Sequence, residues 1–227
     1  MTSRADWAAK HLRYTFNDPA LLERALTHRS ASKTNNERLE YLGDPFLSFA
    51  VARRLYERRP TDAEGDLSRA RAALVKQPTL AAIGQRLTLD SQMILGAGEL
   101  RSGGAQRGAV LADAVEALIG AVLLDGGSEA AEALIDLWFA PEFDTLPDAA
   151  ELKDAKTRLQ EWLQGNGYRL PAYAVENVRG RDHEQTFLVS CSVEERDAQT
   201  TGQGSSRRHA EQEAAAAMLS VLTGERD

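Results

Sequence analysis

Apolar residues recur at helical spacing in five stretches of the first two thirds of the chain: 21–27, 37–56, 67–87, 110–124 and 128–138. The opening residues, MTSRADWAAKHLRYTF, read as an amphipathic helix without the apolar core of a signal peptide. Gly96, Gly98, Gly103 and Gly104 break the pattern before the fourth stretch. A polar run over 141–153 reads as a linker. After it the grammar changes. Residues 156–164 suit a helix, 172–178, 186–193 and 198–201 suit strands, and 207–222 suit a second helix. The pattern predicts an all-α domain over 1–146, a linker at 147–153, and a small α+β (α-β-β-β-α) domain over 154–227.

Two of the helical stretches carry acids in unusual places. At roughly 100° per residue, Glu37, Glu40 and Asp44 fall within an arc of about 60° on one helix face. Leu39, Leu42, Phe46 and Phe49 fall opposite, toward an expected core. Alone, this stripe fits a solvated acidic face. The stretch 110–124, VLADAVEALIGAVLL, is different, because its only polar residues are Asp113 and Glu116. A helix apolar all round is buried, and unpaired carboxylates cannot be buried cheaply. They must meet arginines in structural salt bridges, or face the first stripe and hold a divalent cation. Oxygen-only ligation suits Mg²⁺, with Mn²⁺ able to substitute. His11, His28, His183 and His209 are scattered and make no zinc cluster.

Composition narrows the setting without naming a partner. Hydrophobic residues are 43% and charged residues 27%, as in ordinary globular proteins. The longest apolar run, 117–124, is too short to span a bilayer, so no membrane association is expected. Cys191 is the single cysteine and sits at strand spacing after Phe187 and Val189, which reads as core. These features point to the cytoplasm. The net charge of −7 argues mildly against nucleic acid, and residues 1–153 and 154–227 are each acidic, at −4 and −3.

Local motifs override the global charge. Residues 36–44, NERLEYLGD, resemble the signature of the ribonuclease III family. The resemblance runs in order through Thr27-His28-Arg29-Ser30, Glu64-Gly65-Asp66-Leu67-Ser68, Gly98-Glu99 with Ser102-Gly103-Gly104, and LADAVEALIGAVLLDGG at 111–127. It implies a homodimeric endonuclease that cuts double-stranded RNA, processing ribosomal precursors and other structured RNAs. Glu40, Asp44, Asp113 and Glu116 would be the metal ligands, with Asp44 and Glu116 central to catalysis. Glu37 and Glu64 would be supporting acids near the RNA and the dimer interface. His28 is given no chemical step and reads as structural. The implied products carry 5′-phosphate and 3′-hydroxyl ends, and no organic cofactor is needed. Tyr41 lies beside the acidic stripe and away from the apolar face, where the family places an aromatic that enters the partner subunit.

Residues 154–223 resemble a double-stranded RNA-binding domain. Thr157, Gln160 and Glu161 match its first contact surface, His183 its second, and Ser205, Ser206, Arg207 and Arg208 its third. Such modules read duplex shape, with little sequence preference. Glu211 and His209 stand where basic residues are common in the wider pattern, which weakens the expected positive patch. The other departure is Pro45, inside the signature helix, where it removes a hydrogen bond to the Tyr41 carbonyl and restricts Asp44. A kink absorbed by the fold is the favoured outcome. The alternative is a non-catalytic RNA-binding dimer whose site is impaired at Pro45.

Overall fold

The computed structural model describes residues 3–148, 151–181 and 185–224. The chain divides into two compact units, Met1–Ala149 and Ala150–Asp227. The first is helical: α1 (Arg4–His11), α2 (Pro19–Ala25), α3 (Glu37–Arg58), α4 (Glu64–Val75), α5 (Gln77–Arg86), α6 (Ala97–Arg101) and α7 (Gly108–Asp144). Its core is built on α7, against which α3 and α5 pack along much of their length. The residues from Ala117 to Val122 are buried without exception. Two buried indoles of this unit have their N–H groups satisfied. Trp7 donates to the Leu87 carbonyl at 2.8 Å and Trp138 to the His11 carbonyl at 3.0 Å.

Three expectations need correction. The stretch 67–87 is two helices, because Lys76 adopts extended geometry (φ −67°, ψ 149°) and Pro78 then sits in the first turn of α5. Residues 141–144 are not linker. They continue α7 past Pro141, held by buried Phe139 and Phe143 and by an Arg86–Glu142 pair at 2.7 Å. On α3 the buried face is Leu39, Gly43, Leu47, Ala50, Val51 and Leu55, whereas Phe49 is 60% exposed and Leu42 and Phe46 are half-buried. The helix has turned its small Gly43, and not its phenylalanines, against α7.

α3 runs on through Pro45 without a break. Tyr41 and Pro45 are both exposed, so the carbonyl that loses its N–H donor lies on the solvent side. α7 does bend, at Gly127 (φ +81°), a conformation that costs glycine nothing. Just before the bend, Asp125 accepts from the Tyr14 hydroxyl and the Asn17 and Asp18 amides at 2.7–2.9 Å, tying the chain ahead of α2 to α7.

The second unit is α8 (Ala155–Gly165), a three-stranded antiparallel meander of β1 (Ala172–Arg179), β2 (Thr186–Val193) and β3 (Ala198–Gly204), and α9 (Arg207–Thr223). Asp154 caps α8 and Ser206 caps α9 with their side chains. One face of the sheet packs on the helices around Leu159, Leu163, Cys191, Val193, Ala214, Ala215 and Met218. Cys191 is core, as its strand spacing predicts. β1 carries a bulge between Val175 and Asn177.

Candidate metal centre and nucleic-acid interface

The centre exists because two helices touch backbone to backbone. A Cβ on Gly43 of α3 would overlap the Glu116 carbonyl of α7, and one on Gly120 would overlap the Leu39 carbonyl. At this crossing Glu40 and Glu116, each one turn earlier on its helix, meet, with Asp113 a further turn back on α7. Glu40, Asp113 and Glu116 can each present a carboxylate oxygen so that all three lie within 4.8 Å of one another. Asp44 lies outside that trio. It borders a cavity of about 690 Å³ with two of the trio, Glu40 and Glu116, and with Tyr41 and Pro45.

Electrostatics set this cluster apart from a solvated acidic face. Burial, then the charges of Asp44, Glu40 and Asp113, push the Glu116 carboxyl up to about 8. Glu40 is raised by burial and by Asp113, Glu37 and Asp44, against the pull of Arg29. Asp113 is raised by burial, against His28 and Arg29. None of these three carboxylates has a salt bridge among the described residues, whereas Glu37 and Glu99 on the neighbouring cavity do. A divalent ion would satisfy them, and hard carboxylate oxygens with room for water suit magnesium. The donor set therefore fits the expected metal.

The supporting acids lie apart from one another. Glu37 faces Arg29 at 3.7 Å on a neighbouring cavity that also reaches Glu40 and Asp113. Glu64 opens α4, accepts from the Ser68 hydroxyl at 2.8 Å, and lines an apolar cleft of about 350 Å³ with Phe49, Tyr56 and Leu67. Tyr41 is 82% exposed and Tyr56 73%, so with Phe49 the outer side of α3 shows three aromatic rings to solvent. The uncovered Phe49 is the part of this surface that helical periodicity missed.

In the second unit Gln160, Glu161, Ser205, Ser206, Arg207 and Arg208 are exposed and Thr157 is half-buried. His183 lies outside the described residues. Glu161 is held by Lys153 at 2.6 Å. Glu211 behaves differently from expectation: it is 9% exposed and takes Lys156 at 2.6 Å and Arg207 at 2.8 Å, which hold its carboxyl below the usual range. Its charge is spent inside the domain, joining the start of α8 to the start of α9. Arg208 keeps an exposed guanidinium beside the capped N-terminus of α9, an arrangement that suits phosphate.

Comparison with known proteins agrees with both units. The model of a ribonuclease-III-like family matches residues 18–143, and that of the double-stranded RNA binding motif matches 155–222. A protein named Ribonuclease 3 from Dechloromonas aromatica is 52% identical over 98% of this chain and 99% of its own length. One from Nitrosococcus oceani is 48% identical over 100% and 98%. Among solved structures, a nuclease domain of ribonuclease III from Campylobacter jejuni superposes with a TM-score of 0.58 at 41% identity, covering 60% of this chain and 96% of that one. Both units thus match one lineage along nearly the whole chain: this protein belongs to the ribonuclease III family.

Proposed function

We propose that the protein is an endoribonuclease that hydrolyses double-stranded RNA with magnesium held at Glu40, Asp44, Asp113 and Glu116. The observation that carries this reading is the trio Glu40, Asp113 and Glu116, half-buried, mutually repelling and without salt bridges among the described residues. When bound, the metal would lower the pKa of a coordinated water and offset charge on the phosphate oxygens. The chain's own contribution is to fix the acids on two helices locked at Gly43 and Gly120, so that they need no rearrangement. Glu37 would hold Arg29 beside the site, and Glu64 would sit at the edge of a subunit contact. Thr157, Gln160 and Glu161 of α8, with Ser205, Ser206, Arg207 and Arg208 at α9, would hold the duplex by its backbone, with His183 as a further contact. The relatives' names support ribonuclease activity, and their family supports processing of structured RNA in the cytoplasm. No described helix is long and apolar enough to cross a membrane.

A second copy of the chain is part of the reading. The strands of an RNA duplex are antiparallel, so two identical sites related by a two-fold axis can cut both. The exposed Tyr41, at the rim of the acid cavity, and the apolar cleft beside Phe49 and Tyr56 supply aromatic surface for such a contact. The Campylobacter jejuni nuclease domain is described as structurally flexible in a region involved in its dimer formation, which supports the same assembly for this chain. The non-catalytic alternative gains nothing from Pro45, since α3 continues through it. Incubation with a long RNA duplex tests the proposal. Mg²⁺-dependent fragments with 5′-phosphate and 3′-hydroxyl ends are expected, and an intact duplex in the presence of Mg²⁺ would contradict it.

A further inference from the structure

We propose that His28, Arg29 and Asn36 hold a second phosphate of the RNA strand, next to the phosphate being cut. This rests on the duplex-cleaving reading and names a contact of that same site. A cavity of about 620 Å³ lies beside the acids and shares Glu40 and Asp113 with them. Its other side carries hydrogen-bond donors that lack acceptors. The Ser30 amide donates to His28 Nδ1 at 3.2 Å, while Ser30 Oγ, which accepts from the Gly96 amide at 3.0 Å, lies 2.8 Å from the same nitrogen. A ring nitrogen that accepts a backbone N–H holds its lone pair there, so the proton is on Nε2. Nε2–H makes no hydrogen bond among the described residues.

Asn36 supplies a second donor. It is 2% exposed, lines this cavity, and its Nδ2 is buried with no partner among the described residues. Buried donors in folded proteins are nearly always paired, so a rotation of this amide toward the cavity that let it meet a ligand acceptor would relieve an open donor. Arg29 supplies the charge. Its only ion pair among the described residues is with Glu37 at 3.7 Å, beyond hydrogen-bond length, so its N–H groups are available. An acceptor-rich, anionic ligand fits these three groups. Glu37, Glu40 and Asp113 on the same walls repel a free anion, so the ligand has to be delivered by a longer molecule. A phosphodiester adjoining the scissile one meets that requirement, because binding along the rest of the duplex carries it in. The role differs from the structural one the sequence assigns to His28.

The test uses a short RNA duplex with a single cleavage site, in Mg²⁺, in which each phosphate flanking that site is replaced in turn by a neutral methylphosphonate. For the native protein, one flanking replacement is expected to lower kcat/KM by about tenfold or more, the scale of a hydrogen bond to a charged group. With His28→Ala or Arg29→Gln the same replacement should cost little further, and His28→Gln, which returns a donor near Nε2, should restore the sensitivity. Thermal melting of each variant separates loss of fold from loss of contact, and Arg29, being exposed, can be changed without disturbing the core. The proposal is overturned if no flanking phosphate matters to the native protein. It is equally overturned if the variants slow all substrates alike and keep the native penalty. If the native protein fails to cut even the unmodified duplex, the parent reading falls, and this contact falls with it.

Discussion

The Glu116 carboxyl must shed a proton before it can meet a cation. Its ordinary value of 4.5 is raised to about 8 in the folded chain. Between those two pH values the folded state binds a proton that the unfolded state has released. The stability this proton confers is present at low pH and is lost as pH rises from about 4.5 to about 8. Metal-free protein should therefore melt at progressively lower temperature across that window. Mg²⁺ should flatten the trend and release protons near neutrality, as calorimetry in two buffers of different ionisation enthalpy can register. A melting temperature that rises through the window without metal would contradict the assignment. Gly43 is the other residue on which the centre turns. Gly43→Ala places a methyl group against the Glu116 carbonyl. Overpacking of this kind costs about 1–3 kcal/mol and would push α3 from α7. A lower melting temperature and weaker Mg²⁺ binding are expected together, and an unperturbed variant would mean the crossing is looser than described. The acids were legible in the sequence because Asp113 and Glu116 interrupt an apolar run. The reason they meet Glu40 was not, since nothing in periodicity distinguishes a glycine that lets two helices touch from one that merely lies on a helix.

Elements were read well where one period governed them and poorly where it changed. The strands β1, β2 and β3 follow from alternation, and α7 from its apolar run. Extended geometry at Lys76 divided the stretch 67–87, a break that Pro78 signalled and hydrophobic spacing concealed. Pro141 misled in the other direction, because Phe139 and Phe143 keep the helix intact by packing one turn apart. For α9 the sequence showed the arginines but not their partners. Arg207 shares Glu211 with Lys156, while Arg208 has no salt bridge among the described residues. Changing both arginines to Ala should weaken duplex binding and flatten its dependence on salt, because fewer counterions are released. Affinity measured across a salt series reads this directly. An unchanged slope would remove the start of α9 from the RNA-binding surface, and altered cleavage positions would mean the arginines do more than hold the backbone.

For the molecule as a whole, net charge was a poor guide. The chain is acidic at −7 yet carries a duplex-RNA module, because the basic groups at the start of α9 are few and local while many acids serve helix pairing and the cluster at the α3–α7 crossing. Assembly is where the exposed side of α3 becomes decisive. Tyr41→Asp should shift the protein toward monomer in analytical ultracentrifugation and lose double-strand cleavage in step. A fully dimeric variant would take Tyr41 out of the contact, and a native protein that sediments as monomer at micromolar concentration would end the two-site scheme. The central claim is narrower: the acids at the crossing of α3 and α7 perform the cut, and the second unit holds the RNA. Single-turnover cleavage of a duplex by Glu116→Gln, in Mg²⁺ and at protein concentrations that saturate binding, tests it most directly. The expected result is cleavage reduced by about 10³-fold or more with near-native affinity in a gel shift, on the scale seen when a single catalytic group is removed. Near-native cleavage by Glu116→Gln would contradict it.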